Sequence, residues 1–434
     1  MRVPSASASF LRREGSCFFT ILKVSTIAIP GAGRRDATVI LLVAFAHGTS
    51  HFFHLMMPPL FPWFMREFSL SYTQVGALMT VFFAVSGSGQ ALAGLLVDRW
   101  GAHRVQYLGV ALLASSGFLV AAAPAVWGLY VAAFAAGLGN SVFHPADFSL
   151  LNQLVSPPRL GHAFSAHGLA GNLGWASGPV IMTAVATAAS WRTAGLVAGL
   201  IGSTSLGILC WRHRDLAATE TSSSHGTKEG SKGVSLGRIV KLRLTWVAFG
   251  FFFFSTLVLG AAENFGPSLL RDLYGLSLTA ATSGLTFYLV GGAAGLVVGG
   301  FLVSAGKGQE KVVGLCFLGS AAIALLLSFS VVPGWCVIGL MAAMGFGVGI
   351  AGPSRDMLVR QSAMATIGKR SFGRIYGLVY SGADVGLATA PLIFGMLMDA
   401  GHPRLVFASV SLALTIGIIA AQAIALEART SAEA

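Results

Sequence analysis

Three histidines, His47, His51 and His54, stand at i, i+4 and i+7 in a stretch that is otherwise almost wholly apolar. On a helix that spacing puts all three on one face. Imidazoles change charge near neutral pH, so such a stripe can handle protons or, once charged, hold an anionic substrate. Neutral imidazoles at i and i+4 can also share a zinc ion, yet no acid or cysteine accompanies them at a fixed ligand spacing, and no metal is expected. Structural hydrogen bonding is the competing reading. Asn140, His144 and Asp147 repeat the same spacing further on. Pro145 frees the Ser141 carbonyl, so this stretch is expected to bend where its polar groups lie. His144 and Asp147 would form a coupled titrating pair suited to exchanging a proton for substrate, against the alternative of a satisfied core network. Glu263, Asn264 and Asp384 are further polar side chains inside apolar runs. An ionisable group held at membrane depth is costly and usually functional.

What must position these groups follows from composition. Of 434 residues 55% are hydrophobic and 10% charged, and the mean hydropathy is +0.75; soluble domains carry about 25% charged residues. The chain therefore reads as an all-α integral membrane protein, because long continuous apolar runs suit helices and not the alternating strands of a barrel. Spans are predicted near 37–63, 72–97, 105–123, 125–152, 162–189 and 193–211. Six more follow near 243–270, 278–304, 312–332, 335–358, 372–397 and 404–426. Between the two sets, residues 212–242 are polar and rich in Ser, Gly and Lys, the composition of a flexible linker. The expected organisation is a tail over 1–36, a six-helix half over 37–211, the linker, a second half over 243–427 and a short tail over 428–434.

Charge sets the orientation. With both tails and the linker in the cytoplasm, only Arg66, Arg192, Arg271 and Arg404 of the 28 Lys and Arg fall outside. That bias accounts for the net charge of +12 through contact with anionic lipid, and leaves no case for nucleic acid. The expected place is the inner (plasma) membrane, with both termini cytoplasmic. The apolar patch from Cys17 to Pro30 is too short to span, and Cys17, Cys210, Cys316 and Cys336 show no metal or disulfide spacing.

The halves also repeat. Gly137, Gly139 and Pro145 match Gly345, Gly347 and Pro353 at an offset of 208, and Gly174, Gly178 and Pro179 match Gly386, Ala390 and Pro391 at 212. Asn172 and Asp384 share that second offset. Parallel six-helix halves that rock about a central site are one solution to alternating access. Gly345, Gly347 and Gly349 mimic a nucleotide loop but follow no strand, and no nucleophile with an orienting base is evident, so an enzyme is not expected.

Between the second and third spans the chain reads GLLVDRWGAHR, Gly94 to Arg104. This resembles the loop signature of the major facilitator superfamily, with Gly94, Asp98, Arg99, Gly101 and Arg104 on its main positions. Within that superfamily, Gly137 to Asp147 (GLGNSVFHPAD) and Gly168 to Pro179 (GLAGNLGWASGP) are similar to the bacterial fosmidomycin-resistance exporters, with Ala146 at the usual acid position and Asp147 one residue later. The resemblance implies twelve transmembrane helices in two pseudo-symmetric halves. It implies too that Asp98 acts as a conformational latch against the start of the eleventh span near Ser371, and that Gly174, Gly178 and Pro179 bend the fifth span where the halves meet. The function expected is proton-coupled efflux of a small organic compound by a monomer in contact with lipid, with no cofactor. Proton symport that imports an organic anion is the alternative, and a membrane sensor that has lost transport is a third reading.

Overall fold

The computed structural model describes residues 32–217, 240–304, 308–367 and 372–433. The expectations for the tail over 1–31, for most of the linker and for Ser371 lie outside the described residues. Among the described residues twelve long helical stretches follow one another, numbered here as spans one to twelve. The first half holds Ala32–His54 continued by Phe61–Phe68, then Tyr72–Trp100, Ala102–Ala122, Val126–Asn140 continued by Phe143–Leu154, Leu160–Ala188 and Trp191–Trp211. The second holds Arg243–Tyr274, Leu278–Ser304, Gln309–Ser328, Gly334–Ile367, Phe372–Asp399 and Pro403–Glu433. Ten of these are long and apolar enough to cross a membrane, and the bent Tyr72–Trp100 makes an eleventh. Leu160–Ala188 has the length, about 20 residues sufficing, but carries His162, His167, Asn172 and several glycines. Its polar face turns inward, as the site below shows.

Three boundaries differ from the expectation. Span one starts at Ala32, so residues 32–36 are helix and not tail, and Asp36 is buried there, accepting a hydrogen bond from Ser156 Oγ at 2.5 Å. It is also interrupted after His54, since Pro58 and Pro59 cannot donate the hydrogen bonds a continuous helix needs. Span twelve runs to Glu433, through the stretch expected as a short tail.

The repeat is physical as well as textual. A side chain at Gly174 would strike the Gly48 carbonyl oxygen and one at Gly178 would lie 3.1 Å from Leu55 Cβ, so span five packs on span one along a small-residue seam. In the second half Gly386 meets Phe253 and Gly260 meets Ala390, which is span eleven on span seven in the same arrangement. Gly174 and Gly178 thus seat span five against span one within the first half.

The halves meet chiefly through spans two and eleven and through spans five and eight. Among the described residues every hydrogen bond between them lies toward the end away from the termini. Tyr72 and Thr73 bond to Asp399, Tyr72 to Asp272, Thr80 to the Ala388 carbonyl at 2.8 Å, and Thr183 to Thr282 at 3.3 Å. At the termini end Asp98, Arg99 and Arg104 are exposed, and nothing lies within 4 Å of where a Gly94 side chain would stand. Among the described residues the halves are closed on each other at the end away from the termini and parted at the end that bears them. Gly101 makes the turn after Asp98 with φ +83°, a left-handed value that favours glycine.

Candidate substrate and coupling site

Asp147 is the centre of the polar cluster, and its side chain is fully buried. Span four breaks at Ser141 and Val142, as Pro145 leads one to expect, and the second piece, Phe143–Leu154, carries Asp147 inward. Its Oδ2 lies 3.0 Å from His167 Nε2 of span five and 3.2 Å from His47 Nδ1 of span one. Its Oδ1 accepts from Gln106 Nε2 of span three at 2.7 Å. Four spans therefore converge on one carboxylate. A buried carboxylate needs such partners, because unpaired it would carry a large desolvation cost.

Asp147 takes its hydrogen bonds from His167 and Gln106 and not from His144. His144 is exposed on the flank of span four, its ring 5.3 Å from that of His47 and 5.7 Å from that of Phe148. The histidine stripe on span one does share a face. His47 stacks on His167 at 3.5 Å between ring centres, His51 lies 4.3 Å from His47 and stacks on Trp175 at 4.3 Å, and His54 Nε2 meets Asn140 Oδ1 at 2.8 Å. Asn140 in turn donates to Ser86 Oγ of span two at 2.7 Å. Gly171 makes room for the stripe, as a side chain there would sit 2.8 Å from His51 Nδ1 and 3.1 Å from His47 Cδ2.

His167 and Gln106 escape a reading of the sequence that weighs each helix alone. A signal for His167 exists: it precedes Gly171, Gly174 and Gly178 at i+4, i+7 and i+11, so it continues the seam that faces span one. Gln106 carries no such mark. One nitrogen from each of His47, His144 and His167 lies within 4.8 Å of the others. Of these rings His167 is hydrogen-bonded to Asp147, and His47 Nδ1 lies 3.2 Å from the same oxygen.

The remaining candidates lie elsewhere. Glu263 and Asn264 are buried in span seven, where Asn264 Nδ2 donates to the Gly260 carbonyl at 2.8 Å and Glu263 Oε1 has no hydrogen-bond partner among the described residues. Asp384 is half-buried in span eleven against span two, its Cβ 3.1 Å from where a Gly87 side chain would begin. The structure thus brings together His47, His51, His54, Asn140, His144 and Asp147, and leaves Glu263, Asn264 and Asp384 in the other half.

Comparison with known proteins fits this architecture. The family model described as Major Facilitator Superfamily matches residues 40–368. The chain belongs to the major facilitator superfamily. It is 26% identical over 410 residues to the uncharacterised MFS-type transporter YfnC of Bacillus subtilis, covering 92% of this chain and 95% of that one. It is 24% identical over 378 residues to the fosmidomycin resistance protein of Escherichia coli, covering 86% and 89%. The membrane sensor protein UhpC of Escherichia coli is 23% identical over 375 residues, covering 81% and 83%. Among solved structures, a bacterial homologue of the human lysosomal transporter Spinster, inward-facing and unoccupied, superposes with a TM-score of 0.69 at 15% identity, covering 92% and 98%. This major facilitator protein is thus a multi-pass membrane transporter by family and not an enzyme.

Proposed function

We propose that the protein is a proton-coupled secondary transporter that exports a small organic compound by alternating access, with the Asp147 cluster as its coupling site. The observation that carries this reading is a fully buried carboxylate within 3.2 Å of two imidazoles from two other spans. A proton gained or lost there changes the charge balance among Asp147, His47 and His167, with Gln106 the neutral neighbour on span three and His144 the remaining titratable group on span four. Such a change has to be repaid by rearrangement or by a charged substrate, which is what coupling requires. The likeness to a fosmidomycin resistance protein supports efflux. Placing the termini and linker in the cytoplasm of the inner membrane follows from the basic bias of the sequence, and makes the parted end the inner one.

The likeness to UhpC supports a second reading, a membrane sensor that binds a ligand without moving it. Proteoliposomes under an imposed pH gradient of either sign separate these, with substrates first chosen from a drug and metabolite panel on cells lacking and overexpressing the protein. Export predicts gradient-driven movement that reverses with the gradient and is lost in Asp147→Asn. Movement in the same direction as protons would replace export by import. Saturable binding with no movement under either gradient would leave the sensor.

A further inference from the structure

The end of the bundle away from the termini carries a cavity of about 570 Å³ that takes no part in the Asp147 cluster. Both halves build it. Trp63 and Arg66 come from the second piece of span one, Tyr72 from the start of span two, Ser268 and Arg271 from the end of span seven, and Leu278 from span eight. Cavities that hold small organic molecules measure roughly 300 to 1,000 Å³, so the volume suits one.

The charged residues that line this cavity are both basic, Arg66 and Arg271. Three acids lie next to the lining residues, and each accepts hydrogen bonds from a neighbour. Glu67 accepts from Arg192 at 2.8 Å and from the Trp191 indole at 2.5 Å. Asp399 accepts from the first turn of span two, and Asp272 from the Tyr72 hydroxyl at 3.1 Å. Arg66 and Arg271 are exposed and form no ion pair with any described acid. Only Arg66, Arg192, Arg271 and Arg404 stand at this end, and two of the four line one space. The planar fork of a guanidinium matches carboxylate and phosphonate oxygens two at a time. Trp63, Tyr72 and Leu278 supply walls that suit a flat apolar body.

We infer that this cavity is an outer binding site for an organic anion with a flat apolar body, such as an aromatic carboxylate, separate from the cluster around Asp147. The inference depends neither on proton coupling nor on the direction of transport.

The test uses the full chain in phosphatidylcholine nanodiscs, with benzoate and its uncharged counterpart benzyl alcohol as probes and titration calorimetry as readout. Benzoate should saturate a single site and benzyl alcohol should not. Arg66→Gln and Arg271→Gln should each weaken benzoate by roughly tenfold, the range of a hydrogen bond to a charged group. Arg404→Gln removes the same charge from the same end outside the cavity, and should leave binding unchanged. Nanodiscs containing phosphatidylglycerol distinguish the two sources of anionic oxygen. Unchanged affinity there supports a free organic anion, whereas loss of benzoate binding would assign the arginines to lipid headgroups and overturn the inference. Absence of saturable benzoate binding, full binding by the Arg66→Gln/Arg271→Gln double variant, or equal weakening by Arg404→Gln would overturn it too.

Discussion

Replacing Asp399 with Ala should open the closed end of the transporter. Its carboxylate accepts from Tyr72 N at 2.7 Å, Thr73 N at 2.9 Å and Thr73 Oγ1 at 2.5 Å, so the last residue of span eleven caps the first turn of span two. Losing a side-chain cap costs about 0.5 to 2 kcal/mol. Asp399 is exposed, so screening trims the charge contribution and leaves roughly 1 to 1.5 kcal/mol. When the two halves part at this end, water takes over the capping, and the whole loss therefore falls on the closed state. With about 1.4 kcal/mol per tenfold, the population open at this end should rise about five- to tenfold. Leu60 lies fully buried beneath this end and reports the change. In a variant with native cysteines replaced and Leu60→Cys introduced, a membrane-impermeant maleimide applied from that side should label faster by the same factor. Unchanged or slower labelling would refute the capping argument.

Two further outcomes concern the cluster. His167→Gln removes one imidazole from Asp147 and keeps the length and a hydrogen-bond donor, so gradient-driven transport should fall about tenfold or more, with a displaced pH profile and unaltered yield of folded protein; an unchanged profile would remove His167 from the coupling site. Gly171→Ala pushes a methyl group into the His47 and His51 rings. Overpacking of this kind costs about 1 to 3 kcal/mol, and should lower both the melting temperature and transport, whereas Gly250→Ala, at a position open to space, should change neither.

The spans were legible because lipid leaves the backbone few choices: apolar runs must be helices of membrane length, and charge between them marks their ends. Breaks within spans one and four were less so. Pro145 announced the bend of span four, while Pro58 and Pro59 stood close enough to the predicted end near residue 63 to read as an ordinary terminus. The site was half legible. Spacing along one helix shows which side chains share a face, and it brought out His47, His51 and His54. It cannot show which side chain a neighbouring helix presents to them. Asp147 therefore looked like a partner for His144, three residues before it, when its real partners lie 100, 41 and 20 positions away at His47, Gln106 and His167. The small-residue seam on span five was read for its bend. Its other meaning, that span one lies along it, would have extended the stripe to His167.

Asp399 also gives the Asp98 latch a counterpart. Spans two and eleven run antiparallel; span eleven ends in Asp399, which caps the first turn of span two, and span two carries Asp98 in its own last turn. Asp399 caps span two in the present conformation, where Asp98 is exposed at the parted end. When the molecule reverses, the same charge and helix-dipole attraction should act between Asp98 and the start of span eleven, while Asp399 is released. Asp98→Asn should consequently favour the present conformation and slow labelling at Leu60→Cys, opposite in sign to Asp399→Ala. Because the two residues act on one equilibrium from different states, their effects should add, and the double variant should label at a rate close to that of the parent. Faster labelling in Asp98→Asn alone, or a double variant as fast as Asp399→Ala, would show that the two acids do not work one rocking motion.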